Sequence, residues 1–320
     1  MARGRTGSTR LDPCVHVTDR GGVSPRRTPR WLVRTTATAT AVVLAAGLTT
    51  AATLEPPAPE AEPVVALEKP PEQPRPQPPG PQVDARPAAV APPERRYAFL
   101  AGVTDYRPPT VDTVGGAADV VFLRQLLLDS GWRPENIRVV TDGEVTGQAL
   151  RDGMAWLAGK GQPGTFSFFH FSGHVKQLGG GTEALWPVDR DWVRDREVTA
   201  ALSQVRGRMW VDIAGCEAGS FLPGLPNDRV LVSASSTAVE KSYEHPDWGM
   251  SVWTHLLAER GTAQLGADAD GDGRVTIGEA LRYATHYAQV VTWSQRPHGR
   301  QTPQVEGDPV RGWTLADPPA

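Results

Sequence analysis

Two stretches decide how this chain folds: Phe166-Ser167-Phe168-Phe169-His170-Phe171-Ser172-Gly173-His174 and Met209-Trp210-Val211-Asp212-Ile213-Ala214-Gly215-Cys216. Each is an apolar run of strand length, rich in aromatic or β-branched residues, and each is left through a glycine. One run delivers an imidazole at its exit and the other a thiol. In a parallel α/β sheet the C-terminal ends of the strands share one edge, so His174 and Cys216 are expected to meet there. A thiol needs a base or a positive neighbour to become a nucleophile near neutral pH, and the imidazole supplies one. The pair reads as a Cys216–His174 dyad.

Working outward, strands and helices alternate. Strands are expected at Tyr97–Val103, Ile137–Thr141, Thr165–Ser172, Met209–Ala214 and Val230–Ser235. Helices are expected over Ala117–Ser130, from the Thr146 cap to about Ala158, and over Arg196–Val205, Gly249–Arg260 and Ile277–Val291. The alternation predicts an α/β fold with a mostly parallel, doubly wound sheet. His170 lies within the third strand and reads as packed core.

The 320 residues carry a net charge of -3, unevenly spread. Residues 1–34 hold eight Arg against two Asp, a balance of +6, which leaves -9 for the rest. The basic charge thus lies outside the globular part, which argues against a nucleic-acid partner. Thr35 to Leu54 is uncharged and rich in Ala, Thr, Val and Leu. Residues 1–54 therefore read as a basic head with a signal peptide or signal anchor. That implies export, with the protein secreted or anchored at the outer face of the membrane through 35–54. Residues 55–95 form a Pro-rich linker that cannot build a core, with fourteen Pro between 55 and 94. The globular domain is expected over 96–316. Of two cysteines, Cys14 lies in the head, so a chain processed after Ala52 would keep Cys216 as its one thiol.

An acidic loop, 268–279, fits the pattern of an EF-hand calcium site. Asp268, Asp270 and Asp272 stand at positions 1, 3 and 5, with Gly273 at 6 for the sharp turn. Arg274 would offer its backbone carbonyl, Thr276 stands at 9, and Glu279 at 12 can bind through both oxygens. Carboxylates this crowded repel one another without a cation, so Ca²⁺ is the expected cofactor. A single loop suggests a structural role more than sensing.

Several pieces, in order, resemble the caspase-like clan and in particular bacterial metacaspases. They are Tyr97 to Val103, Gly116 to Asp119, Phe171 to His174, Leu185 to Asp189, Cys216 with Gly219, Ser233 to Ser236 with Glu240, and Gln301 to Pro303. The resemblance implies a caspase-haemoglobinase-like three-layer fold and a cysteine endopeptidase acting on protein or peptide substrates as a monomer. His174 and Cys216 are implied as its dyad. The amides of Cys216 and Val175 would hold the oxyanion, and Ser172 and Gly173 would help position substrate. Metacaspases prefer Arg or Lys before the scissile bond because acids line the S1 pocket. Asp119 matches one of those acids. The usual second acid is replaced here by Ala214, and Asp212 and Glu240 are candidates to compensate. Val175 also stands where relatives often have Gly. These departures leave a second reading open, a catalytically inactive caspase-like module that binds a peptide or partner.

Overall fold

A computed structural model describes residues 12–13, 91–221, 224–225, 228–293, 299–307 and 310–315. Apart from Asp12 and Pro13, the expectations for 1–54, and those for the linker up to residue 90, fall outside the described residues. No described helix is long and apolar enough to cross a membrane.

After a two-residue strand β1 (Asp12–Pro13) the chain enters β2 (Arg96–Gly102), α1 (Gly116–Asp129), β3 (Ile137–Thr141) and α2 (Gly147–Lys160). It continues through β4 (Phe166–Ser172), the short strands β5 (Val175–Gly179), β6 (Thr182–Leu185) and β7 (Val193–Arg194), then α3 (Asp195–Leu202). Next come β8 (Arg208–Ala214), β9 (Val230–Ala234), β10 (Tyr243–His245) and β11 (Met250–Ser251). The last elements are α4 (Val252–Thr254), running into a π-helix at His255–Ala263, then α5 (Ile277–Thr292) and β12 (Gln304–Glu306).

Six strands form the central sheet in the order β12-β9-β8-β4-β2-β3. All neighbours are parallel except β12, which runs antiparallel along β9. Strand β4 is buried at all seven positions, as a central strand covered on both faces must be. Alternate side chains go to opposite cores. Phe166, Phe168, Trp210 and Ala214 pack with Val120, Leu127, Trp253 and Leu281 from α1, α4 and α5. Phe169, Phe171, Val211 and Ile213 pack with Leu150, Met154, Val198 and Leu202 from α2 and α3. Helices thus cover both faces, and the doubly wound α/β expectation holds.

Local chemistry sets the helix ends. Thr146 caps α2 by accepting the Ala149 N–H at 3.1 Å. Thr276 and Glu279 form a capping box at the start of α5. The helix expected from Gly249 starts later, because Met250 and Ser251 first pair with β10 and the Ser251 hydroxyl caps α4. The sheet β5-β6-β7 and the β10–β11 hairpin were not anticipated.

At the N-terminal edge of the sheet, Arg96 is fully buried. Its guanidinium donates to the carbonyls of Ala91, Ser130 and Leu315. The Trp132 indole also donates to Leu315 O, at 2.9 Å. The opening of the first central strand is thereby tied to the last described segment of the chain.

Candidate active site

Strands β4 and β8 are parallel neighbours with Ser172 facing Ala214 as the last paired residues. One step on, the Gly173 N–H still donates to Ala214 O at 3.0 Å. His174 and Cys216 each lie two residues past that final pair, at the same C-terminal edge. Gly215 allows the approach: a Cβ there would stand 2.6 Å from Gly173 O and 3.0 Å from Val175 Cγ2.

The His174 ring is held on several sides. Nε2 lies 2.8 Å from Val111 O, and since a carbonyl only accepts, Nε2 carries the proton. In the neutral ring Nδ1 then bears the lone pair, ready to take a proton. Tyr106 lies against the ring at 4.7 Å between centroids and Trp186 at 5.7 Å. Both Val111 and Tyr106 belong to the loop between β2 and α1. That loop is pinned at both ends, where Asp142 accepts from the Thr104 and Asp105 amides and Glu244 from those of Val114 and Gly115.

Cys216 is 1 % exposed. Its sulfur accepts the Ser242 N–H at 3.3 Å and its thiol faces Ser242 O at 3.7 Å. Catalytic hydrogen bonds are commonly loose in a free enzyme and tighten with substrate bound. Val175 faces Leu185 across the β5–β6 ladder, and the Trp186 N–H donates to His174 O at 3.1 Å. The 175–185 pair is therefore of the non-hydrogen-bonded kind, and the Val175 N–H points away from β6. The Gly-to-Val departure leaves this amide in place as a donor.

The three acids expected in S1 have different surroundings. Asp119 is fully buried and accepts from Ser172 Oγ at 2.7 Å and from the Ser251 amide and hydroxyl at 3.0 and 2.5 Å. Burial pushes its pKa up, against the lowering effect of the Ser251 and Ser172 donors and of nearby His170. No Lys or Arg pairs with it among the described residues. Asp212 does not compensate for Ala214 at the pocket. It faces His170 in the ladder, and its carboxylate binds His170 Nδ1 at 2.8 Å, Trp253 Nε1 at 2.9 Å and the Ser233 hydroxyl. His170, expected as plain core packing, is thus half of a fully buried hydrogen-bonded pair. Glu240 accepts the Thr302 amide at 2.8 Å and its hydroxyl at 3.0 Å, so it clasps the segment leading into β12. The Glu240 carbonyl also receives the Glu217 N–H at 2.8 Å.

Sequence reasoning missed Tyr106, Val111, Ser242 and Ser251. Val111 and Ser242 act through backbone atoms, which leave no sequence signal. Tyr106 lies in a loop and Ser251 in the two-residue strand β11, and neither has a periodicity to mark it.

In the acidic loop, carboxylate oxygens of Asp268, Asp270 and Glu279 lie within 4.8 Å of one another. Asp268 accepts the amides of Gly271 at 2.8 Å and Gly273 at 3.0 Å, and Gly273 has φ 78°. Glu279 folds back on the Thr276 amide at 2.8 Å, and Asp272 accepts the Arg274 N–H at 2.9 Å. The Asp272 amide lowers the Asp270 pKa, but partial burial and the charges of Asp272, Glu279 and Asp268 outweigh it and raise the value. Converging oxygens with mutual repulsion fit a hard divalent cation.

A thiol and an imidazole leaving adjacent parallel strands at one edge of a doubly wound sheet define a candidate cysteine hydrolase site. Residues 95–306 match the caspase domain, Peptidase_C14, and the chain belongs to that peptidase family. A 113-residue stretch is 30% identical to metacaspase-1 of Schizosaccharomyces pombe, covering 31% of this chain and 26% of that protein. The crystal structure of protein GSU0716 from Geobacter sulfurreducens superposes with a TM-score of 0.51 over 70% of this chain and 98% of that one. At 13% identity that likeness concerns the fold alone.

Proposed function

We propose that this caspase-domain protein is a cysteine endopeptidase cleaving after Arg or Lys, with Cys216 as nucleophile and His174 as its base. The observation that carries the reading is the shared exit of β4 and β8, with His174 Nε2 anchored on Val111 O. The thiol proton passes to His174 Nδ1, and the sulfur bonds to the scissile carbonyl carbon. The amides of Cys216 and Val175 stabilise the oxyanion. The imidazolium then protonates the leaving amine as the C–N bond breaks, and His174 later activates water to hydrolyse the thioester.

Basic specificity rests on Asp119. It is buried with no Lys or Arg partner among the described residues, and a substrate guanidinium or ammonium would supply a counter-charge. Calcium would be held by Asp268, Asp270, Asp272 and Glu279, with the Arg274 carbonyl and Thr276 completing the loop. Export, with the domain outside the cell membrane, rests on the 1–54 pattern. Intact mass with N-terminal sequencing of the exported protein would test it.

The thiol's burial and its Ser242 contacts favour the second reading, an inactive peptide-binding module. One comparison decides: wild type and Cys216→Ala on Arg-, Lys- and Asp-terminated fluorogenic peptides, with and without calcium. Cleavage of the basic peptides by wild type alone is expected. Equal, background rates from both proteins would leave the binding module as the reading.

A further inference from the structure

We propose that Tyr106 is a positioning residue for His174, holding its main chain through the hydroxyl and its imidazolium through the ring face. The inference rests on the peptidase reading above. In the antiparallel geometry that continues beyond β5–β6, His174 and Trp186 occupy a position at which two strands exchange two hydrogen bonds. Only one is made, from the Trp186 N–H to His174 O at 3.1 Å. The Tyr106 hydroxyl takes the place of the other. It accepts the His174 N–H at 2.8 Å and donates to Trp186 O at 3.2 Å. Room for it exists because Gly173 has no side chain, and a Cβ there would stand 2.6 Å from the phenolic oxygen. The ladder is thereby opened by one hydroxyl at the residue that carries the base.

The same side chain lies against that base, with ring centroids 4.7 Å apart and planes 39° apart. Proton transfer from Cys216 makes the ring an imidazolium. A cation against an electron-rich aromatic face is attracted to it, more so where water is excluded, and Tyr106 is only 6 % exposed. Val111, five residues further along the same loop, holds Nε2 at 2.8 Å. One loop thus fixes the backbone, the plane and the tautomer of the histidine. Of the charged side chains around the loop, Asp112 accepts the Tyr106 N–H at 2.8 Å, Arg190 donates to the Thr110 hydroxyl at 3.1 Å, and Lys176 lies over the Trp186 and Trp192 rings.

The test compares full-length wild type, Tyr106→Phe and Tyr106→Leu, each also in a His174→Ala background. Readouts are kcat and KM on an Arg-terminated fluorogenic peptide, the melting curve, and the rate of Cys216 alkylation by iodoacetamide, read by mass spectrometry. Loss of the hydroxyl leaves a buried amide and carbonyl unpaired, so Tyr106→Phe is expected to lower kcat and alkylation roughly tenfold at unchanged KM. Tyr106→Leu, which also loses the ring, should fall further. Without His174 neither substitution should slow alkylation any more, because Tyr106 acts through that residue. Phe retains the ring's packing, so a folded comparison exists even where the Leu variant melts early. Tyr106→Phe rates within about twofold of wild type would overturn the inference, as would a loss that persists undiminished without His174. Wild-type alkylation in His174→Ala alone would instead sink the dyad itself, and the inference with it.

Discussion

Asp119 is buried with no Lys or Arg partner among the described residues. Three donors from Ser172 and Ser251 favour its ionised form, yet burial prevails and raises its pKa above 3.8. A raised folded-state value means this group's contribution to stability is greatest at low pH and is lost as pH rises through that value. Asp119→Asn removes the ionisation. Melts between about pH 4 and 7 should therefore show wild type losing ground to Asp119→Asn as pH rises. On Arg-terminated peptides the variant should lose about 10- to 100-fold in kcat/KM, the worth of one charge-assisted contact. Peptides with a neutral residue before the scissile bond should change little. A variant that loses both equally would remove Asp119 from the specificity pocket.

At the scale of elements, the site depends on how closely two strand exits approach. Gly215→Ala places a methyl 2.6 Å from Gly173 O, and backbone cannot swing aside as a side chain can. Overpacking of this kind costs about 1–3 kcal/mol. Expected are a lower melting temperature and a drop in kcat larger than for any substitution on α2, with calcium response retained. The central strands and the helices between them were legible because burial imposes a simple pattern: β4 and β8 are nearly continuous apolar runs, and each helix carries its stripe. What was not legible shares a different cause. Strands β6, β7, β10 and β11 have two to four residues each, too short for a period to register, and β5, Val175-Lys176-Gln177-Leu178-Gly179, is interrupted by Lys176 and Gln177 and only its first two residues are buried. Asp212 was misplaced because its spacing from Cys216 fixes its face of the sheet but not its partner, and the partner, His170, comes from the strand alongside. His174 and Cys216 were readable because each stands where a strand pattern breaks, whereas Val111 and Ser242 contribute backbone atoms.

Across the whole molecule, the acidic loop and the proposed His174–Cys216 dyad sit at opposite ends of the sheet. Thr276 bridges Thr314, and the Ile277 and Gly278 amides donate to Trp313 O and Arg311 O, each at 2.8 Å. The next residue, Leu315, accepts from Arg96, the first residue of β2, while the dyad lies past the last residues of the parallel strand β4. A seven-residue strand, about 23 Å, separates the two ends. A lone EF-hand-type loop usually lacks the antiparallel contact that a paired hand provides. Residues 311–314 make that contact here, so calcium should tighten the strap that closes the N-terminal edge of the sheet. Its effect should then appear in stability, not in the chemical step. With calcium at ten to a hundred times the dissociation constant of its site, melting should rise by about 3–10 °C. Glu279→Gln retains a capping-box residue for Thr276 while removing the position-12 charge. It should abolish the calcium-dependent rise, leave the calcium-free melting temperature near wild type, and keep kcat at moderate temperature. If instead the variant loses kcat while its melting temperature holds, the loop acts on the dyad over the full length of the strand, and the edge-strap account of calcium is wrong.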